Sequence, residues 1–221
     1  MIEATALHKH YGDNVALNAV SFVLARGGMA FITGHSGAGK STLLRLIAGL
    51  ERPSSGMVSV DGRRPDRLGP TGLACLRRRM GVVLQDPLLI AERTVFENVA
   101  LPLEVAGLGW RERTRRVRAA LDKVALGRRE GALPATLSAG EQQRVSIARA
   151  VVNKPELVLA DEPTGNLDPA LSQELLALFT QFHQVGVSVL IATHDLHLLQ
   201  RAAIPILALR EGRVVRNDLA V

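Results

Sequence analysis

The chain has 221 residues, of which 47% are apolar and 22% charged, enough for one domain with a substantial core and too apolar for a disordered segment. Its 27 Lys and Arg against 21 Asp and Glu leave a formal charge of +6, which suits nucleic acid, an anionic membrane surface or the phosphates of a nucleotide. The single Cys75 excludes an internal disulfide and a cysteine-built zinc site, and no run approaches the roughly 18 apolar residues of a membrane helix.

Residues 1–14 mix His8, Lys9, His10 and Asp13 with short apolar stretches, unlike a secretion signal. A cytosolic protein with at most peripheral membrane contact is expected, Cys75 serving as a small core residue or an idle thiol. Strands are expected over 2–7 and 20–25. Another, over 29–33, runs straight into a glycine-rich turn and a helix at 40–50. Residues 55–62 and 80–85 look like further strands. The stretch 86–153 is mostly helical, with helices over 94–105, 110–125 and 138–152. In the second of these, Val117, Ala120, Leu121 and Val124 share one face. Arg111, Arg115 and Arg118 then project elsewhere, as a solvated face or a contact for acidic lipid or a partner. An apolar run at 157–160, a helix at 169–183, a strand at 187–192 and a closing pair around 206–216 complete the chain. The alternation predicts an α/β fold with a mainly parallel sheet covered on both faces. One domain, 1–221, is expected, its core formed by 1–85 and 154–221 and a helical subdomain by about 86–153.

Gly34-His35-Ser36-Gly37-Ala38-Gly39-Lys40-Ser41-Thr42 fits the P-loop pattern, and it lies where that loop must lie, after an apolar strand and opening a helix. Glycines let backbone N–H groups turn inward and approach phosphate oxygens closely, and the helix N-terminus adds free donors and partial positive charge. Lys40 supplies a point charge for the β- and γ-phosphates of ATP, and the Ser41 hydroxyl suits Mg²⁺. A second apolar strand, 157–160, delivers Asp161 and Glu162 at its C-terminal end, where α/β sheets bind ligands. Asp161 suits Mg²⁺, through water, and Glu162 suits orienting and polarising the attacking water.

P-loops serve many enzyme classes. The segment Leu137-Ser138-Ala139-Gly140-Glu141-Gln142-Gln143-Arg144 is more specific: it resembles the LSGGQ signature of the ABC ATPases and lies shortly before the Asp-Glu strand. Ser138 with Glu141 three residues on is also a capping box, and a capped helix start presenting Ser138 and the Gly140 N–H is what a γ-phosphate would use. The resemblance implies a P-loop NTPase of ABC type with an added antiparallel β part. It also implies a homodimer in which two ATPs are sandwiched head to tail between the P-loop of one copy and the signature of the other. It further assigns Tyr11 to stacking on adenine and Gln85 to sensing Mg²⁺ and water. Asp168, in Gly165-Asn166-Leu167-Asp168, meets the opposite subunit, and His194, in Thr193-His194-Asp195, reaches the γ-phosphate. Each has a plainer reading: Tyr11 as a packing residue, Asp168 as the cap of the helix opened by Pro169, His194 as a buried polar group. The chain departs from the signature at Ala139 and Glu141. Alanine there is tolerable if its φ is negative and costs about 1 kcal/mol if φ is positive.

Within the family, the wording of residues 33–40, Arg93-Thr94-Val95 with Asn98-Val99, residues 148–155 and residues 160–168 resembles the cell-division branch. That likeness implies a peripheral protein on the cytoplasmic face of the bacterial inner membrane. ATP-driven closure of its dimer would move the integral membrane protein FtsX, or an equivalent permease, and switch on septal cell-wall hydrolases. The alternative is a lipoprotein-releasing or macrolide-efflux cassette. A soluble ABC ATPase acting on nucleic acid is disfavoured by the lack of a long coiled-coil insertion, of a zinc-type cysteine set and of a second cassette. Leu88, Leu89, Ile90 and Phe96, after Gln85, form either a dock for a membrane-protein helix or ordinary core.

Overall fold

The computed structural model describes residues 1–165, 167–195 and 204–219. Strands β1 (Ile2–Tyr11) and β2 (Asn14–Leu24) form a hairpin closed through Gly12, whose φ of 58° suits a tight turn. Both run longer than alternation suggests, and the register explains why. Pairing shifts between Ala4 and Leu7 and again on either side of Lys9, while Ala6 and Ala19 adopt left-handed backbone. Each shift puts the inward residues out of step with a period of two.

Strand β3 (Met29–Thr33) leads into α1 (Lys40–Ile47), and β4 (Ser55–Val60) pairs with the other edge of β1 to complete a three-stranded antiparallel sheet, β2-β1-β4. Helix α2 (Pro70–Arg77) is a helix the sequence reading misses: it starts on proline and buries only Leu76, so no apolar period marks it. Cys75 on this helix is exposed, its sulfur 3.2 Å from an Arg78 nitrogen, and is not a core residue.

After β5 (Met80–Val83) come α3 (Val95–Val105), α4 (Trp110–Lys123) and α5 (Ala139–Val151), with only short 3₁₀ turns between them. Thr94 and Ser138 cap α3 and α5 through full capping boxes, with Glu97 and Glu141 answering three residues on. On α4, Val117, Ala120 and Leu121 are buried as the spacing predicts, whereas Arg115 and Arg118 pair with Glu112 and Glu130 on the outer side. Strand β6 (Leu157–Asp161), α6 (Pro169–Gln184), β7 (Ser188–Ala192) and the hairpin β8 (Ile206–Arg210) and β9 (Arg213–Asn217) follow.

The main sheet has the order β5-β6-β7-β3-β8-β9 and is parallel except for β9. One core fills the space between this sheet, α1 and the antiparallel sheet; the other lies on its opposite face under α3, α4, α5 and α6. Central strands β3, β6 and β7 are buried on both faces, which is why they read as unbroken apolar runs. Among the described residues no helix is long and apolar enough to cross a membrane.

Candidate nucleotide site

The central strands β3, β6 and β7 point their C-terminal ends at one spot, and the turns after them carry the chemistry. After β3 the loop 34–39 curls through left-handed glycines before α1 begins. Gly39, the residue preceding the helix, has φ 102°, and a Cβ there would stand 2.5 Å from the Ala16 carbonyl oxygen, so no other residue fits. No side chain caps α1, leaving its first N–H groups and dipole for an anion. Lys40 is 6% exposed, and its Nζ donates to the carbonyls of Gly34 at 2.8 Å and His35 at 3.3 Å.

At the end of β6 the chain turns sharply. Glu162 takes a φ of 46°, and its amide donates to the Ala192 carbonyl at the end of β7. This left-handed step sends two adjacent carboxylates apart. Asp161 accepts the Ser41 hydroxyl at 3.0 Å, and burial raises its pKa, with the Ser41 bond opposing the shift. Glu162 faces the Lys40 ammonium at 3.2 Å and accepts from the His194 amide at 3.3 Å, with the His194 Nδ1 at 2.8 Å. His194 itself is largely exposed, correcting its plainer reading as a buried polar group.

Lys40, Ser41, Glu162 and His194 line one cavity of about 450 Å³, bounded by the loop from Ser36 to Thr42, by Gln85, and by Tyr11, Asn14 and Val15. The Ser41 and Asp161 oxygens are hard ligands of the kind Mg²⁺ takes. Two protein oxygens at this spot would leave phosphates and water to complete its shell, as that ion prefers.

Tyr11 is 42% exposed and donates its hydroxyl to the Glu51 carboxylate, a partner forty residues away. Lys9 Nζ sits 3.1 Å from Glu51 and 4.8 Å from the centre of the Tyr11 ring. The hydroxyl and then Lys9 hold the Glu51 carboxyl below its usual range; burial and then the Glu51 bond push the Tyr11 phenol up. No local pattern announces Glu51, since its partners are remote in the chain.

The signature segment lies elsewhere. Ser138 caps α5, Ala139 opens it with right-handed backbone, and the alanine therefore carries no left-handed penalty. Gly140 abuts Leu171: a Cβ there would approach its side chain to 3.1 Å. None of residues 138–141 lines the cavity of the P-loop. Ala139 borders a smaller one of about 290 Å³ shared with Gln142, Leu167 and Gln85, so Gln85 stands at the edge of both.

Two further α5 side chains grip the loop that carries Gln85. Gln143 donates to the Leu84 carbonyl at 3.1 Å, and Arg149 donates to the carbonyls of Leu88 at 2.9 Å and Pro87 at 2.5 Å. Burial pulls the Arg149 pKa down. The apolar residues after Gln85 divide: Leu88 and Ile90 are exposed, while Leu89 and Phe96 pack on the second core. Asp168 caps α6, accepting from the amides of Ala170 and Leu171 at 3.0 Å each. Asn166 lies outside the described residues.

A family model described as ABC transporter matches residues 17–165. The cell division ATP-binding protein FtsE of Escherichia coli (strain K12) is 52% identical over 215 residues, covering 97% of each chain. The ABC transporter cassette MJ0796, solved as a dimer, superposes with a TM-score of 0.91 at 34% identity over 100% of both chains. A dimeric post-hydrolysis state of the same cassette, bound to ADP and Pi, gives 0.90 at 33%, again over 100% of both. With a P-loop, two diverging carboxylates and a capped signature helix in one fold, the chain belongs to the ABC transporter family, among its ATP-hydrolysing cassettes.

Proposed function

We propose that two copies of this cassette bind ATP between them and that hydrolysis drives an FtsX-type membrane protein during bacterial cell division. The observation that carries the reading is the split of the adjacent carboxylates, Asp161 toward Ser41 and Glu162 toward Lys40 and His194. One arm is suited to a cation and the other to the water that attacks the terminal phosphate.

In this reading Tyr11 stacks on adenine, and the backbone from Gly34 to Thr42, including His35, Ser36, Gly37, Ala38 and Gly39, cradles the phosphates. Lys40 exchanges its bonds to loop carbonyls for phosphate oxygens. Ser41, Asp161 and Gln85 would hold Mg²⁺, whose chemistry here is to neutralise charge on the phosphates. Glu162 polarises the attacking water, and His194 fixes that carboxylate while reaching for the γ-phosphate.

Ser138, Ala139, Gly140 and Glu141 stand outside the cavity of their own chain, which supports their meeting the nucleotide of a second copy, beside the loop carrying Asp168. Loss of the γ-phosphate would then remove the bridge between copies and open the pair. That motion would be passed to FtsX on the cytoplasmic face of the membrane and on to septal cell-wall hydrolases. The FtsE relative supports the cell-division assignment over lipoprotein release or macrolide efflux.

Glu162→Gln tests the core of this. Turnover should fall by about a hundredfold or more, while ATP is still bound and an ATP-dependent dimer appears in size-exclusion chromatography. Unaltered hydrolysis would remove Glu162 from the mechanism. Co-purification of an FtsX-like protein from detergent-solubilised membranes tests the partner; its consistent absence would count against the cell-division role.

A further inference from the structure

At the strand ends opposite the phosphate face, α4, the end of α5 and the end of α6 enclose an open groove of about 590 Å³. Its floor is apolar: Val151, Val152, Phe182 and Val187 line it, and Val185, at the tip of the turn after α6, is 78% exposed. Its rim is wholly cationic, with Arg115, Arg116 and Lys123 along α4 and Lys154 on the other side, and no acidic residue lines it. Glu112 occupies Arg115 and Arg116, but Lys123 and Lys154 make no ion pair among the described residues.

Lys154 is also held at a cost. Its φ is 53° and proline follows it, a left-handed backbone state that side-chain-bearing residues rarely adopt. An exposed valine alone is ordinary, but apolar floor and unpaired cations together make a complementary surface.

The geometry narrows the occupant. Arg116 and Lys123 are seven residues apart, two turns or about 10.5 Å along one side of α4, and only Ala119 and Ala120 form the ridge between them. A lone anionic head group would meet one end of that row. An apolar floor offers nothing to a nucleic-acid backbone. We propose that the groove receives an acidic amphipathic helix of a partner protein, its apolar stripe on the valine floor and its carboxylates at the unpaired Lys123 and Lys154, with a third, two turns from Lys123, taking the place of Glu112 in its weak surface pair with Arg116. The groove shares no lining residue with the nucleotide cavity.

The test uses the full chain and a fluorescein-labelled helical peptide of about 18 residues, with leucines on one face flanked by glutamates two turns apart. Fluorescence anisotropy should show the peptide binding, and K123E/K154E should weaken it about tenfold or more, as should Val185→Asp. Circular dichroism and basal ATPase should stay unchanged in the surface double variant. A scrambled peptide of the same composition should bind about tenfold more weakly. Equal binding of parent and scrambled peptides, or of wild type and K123E/K154E, would overturn the proposal. Anionic phospholipid vesicles that bind in place of the peptide, and release on the same charge reversal, would overturn it too by making the groove a lipid seat.

Discussion

Replacing Glu51 by glutamine removes one charge and almost no volume from a residue that supports Tyr11 without lining the nucleotide cavity. Glu51 accepts the Tyr11 hydroxyl and is flanked by Lys9 at 3.1 Å and Arg45 at 3.6 Å, so its charge ties the ring's hydroxyl to the ammonium that lies over the ring. Aromatic stacking contributes about 0.5–1.5 kcal/mol, and about 1.4 kcal/mol is a tenfold change in affinity. Complete loss of ring placement would therefore raise KM for ATP about two- to twelvefold. Glu51→Gln loosens the ring without removing it, so an increase of about two- to fivefold is expected, with kcat unchanged. Steady-state ATPase assays give the split, and competition by inorganic triphosphate, which has no base, gives the control. Triphosphate inhibition should be the same in both proteins, and Tyr11→Ala should leave Glu51→Gln nothing further to remove. If triphosphate weakens by the same factor as ATP, or kcat falls, Glu51 acts through the fold and the argument fails.

Lys40→Ala should lower nucleotide affinity by about a hundredfold or more, measured by calorimetry, because a charged contact to phosphate is lost; an unchanged affinity would be a serious contradiction. Thr94→Ala, which breaks the α3 capping box outside the lining of the nucleotide cavity, should cost about 1 kcal/mol in urea unfolding and leave ATPase intact. An unmoved urea midpoint would deny the cap its role. Hydrogen bonds from Arg79 and Arg26 lower the Glu156 pKa from 4.5 to about 2. Folded-state pKa below unfolded means the stabilisation is full above about 4.5 and disappears as pH falls toward about 2. The carboxylate is 39% exposed, so solvent screens the effect. Thermal melts of wild type and Glu156→Gln should converge across that window, and a pH-independent gap would contradict the shift.

The parts of the fold legible in the sequence are those where local pattern and tertiary role coincide. β3, its glycine turn and α1 were readable because a doubly buried strand must be an apolar run and a phosphate loop must be glycine-rich. The caps at Ser138 and Asp168 were readable because capping is a local exchange of hydrogen bonds. The full lengths of β1 and β2 were not, because backbone irregularities at Ala6 and Ala19 erase the alternation that would mark them. In the site, motif residues such as Lys40, Asp161 and Glu162 stood out, whereas Glu51, Gln143 and Arg149 did not. Their significance lies in partners 40, 59 and 61 residues distant, which no window on the chain contains.

Helix α5 touches two events at once. Ser138 caps its first turn, and further along its length Gln143 and Arg149 hold the carbonyls of Leu84, Pro87 and Leu88 on either side of Gln85. Three bonds of this kind, two of them from the half-buried Arg149 guanidinium, gear the helix to the loop as a crank is geared to its shaft. In the proposed function, a swing that advanced the serine toward a second copy would drag the glutamine with it. In the proposed dimer, arrival of the second copy and arming of the cation's surroundings would thus be timed by one moving part, with no messenger between them.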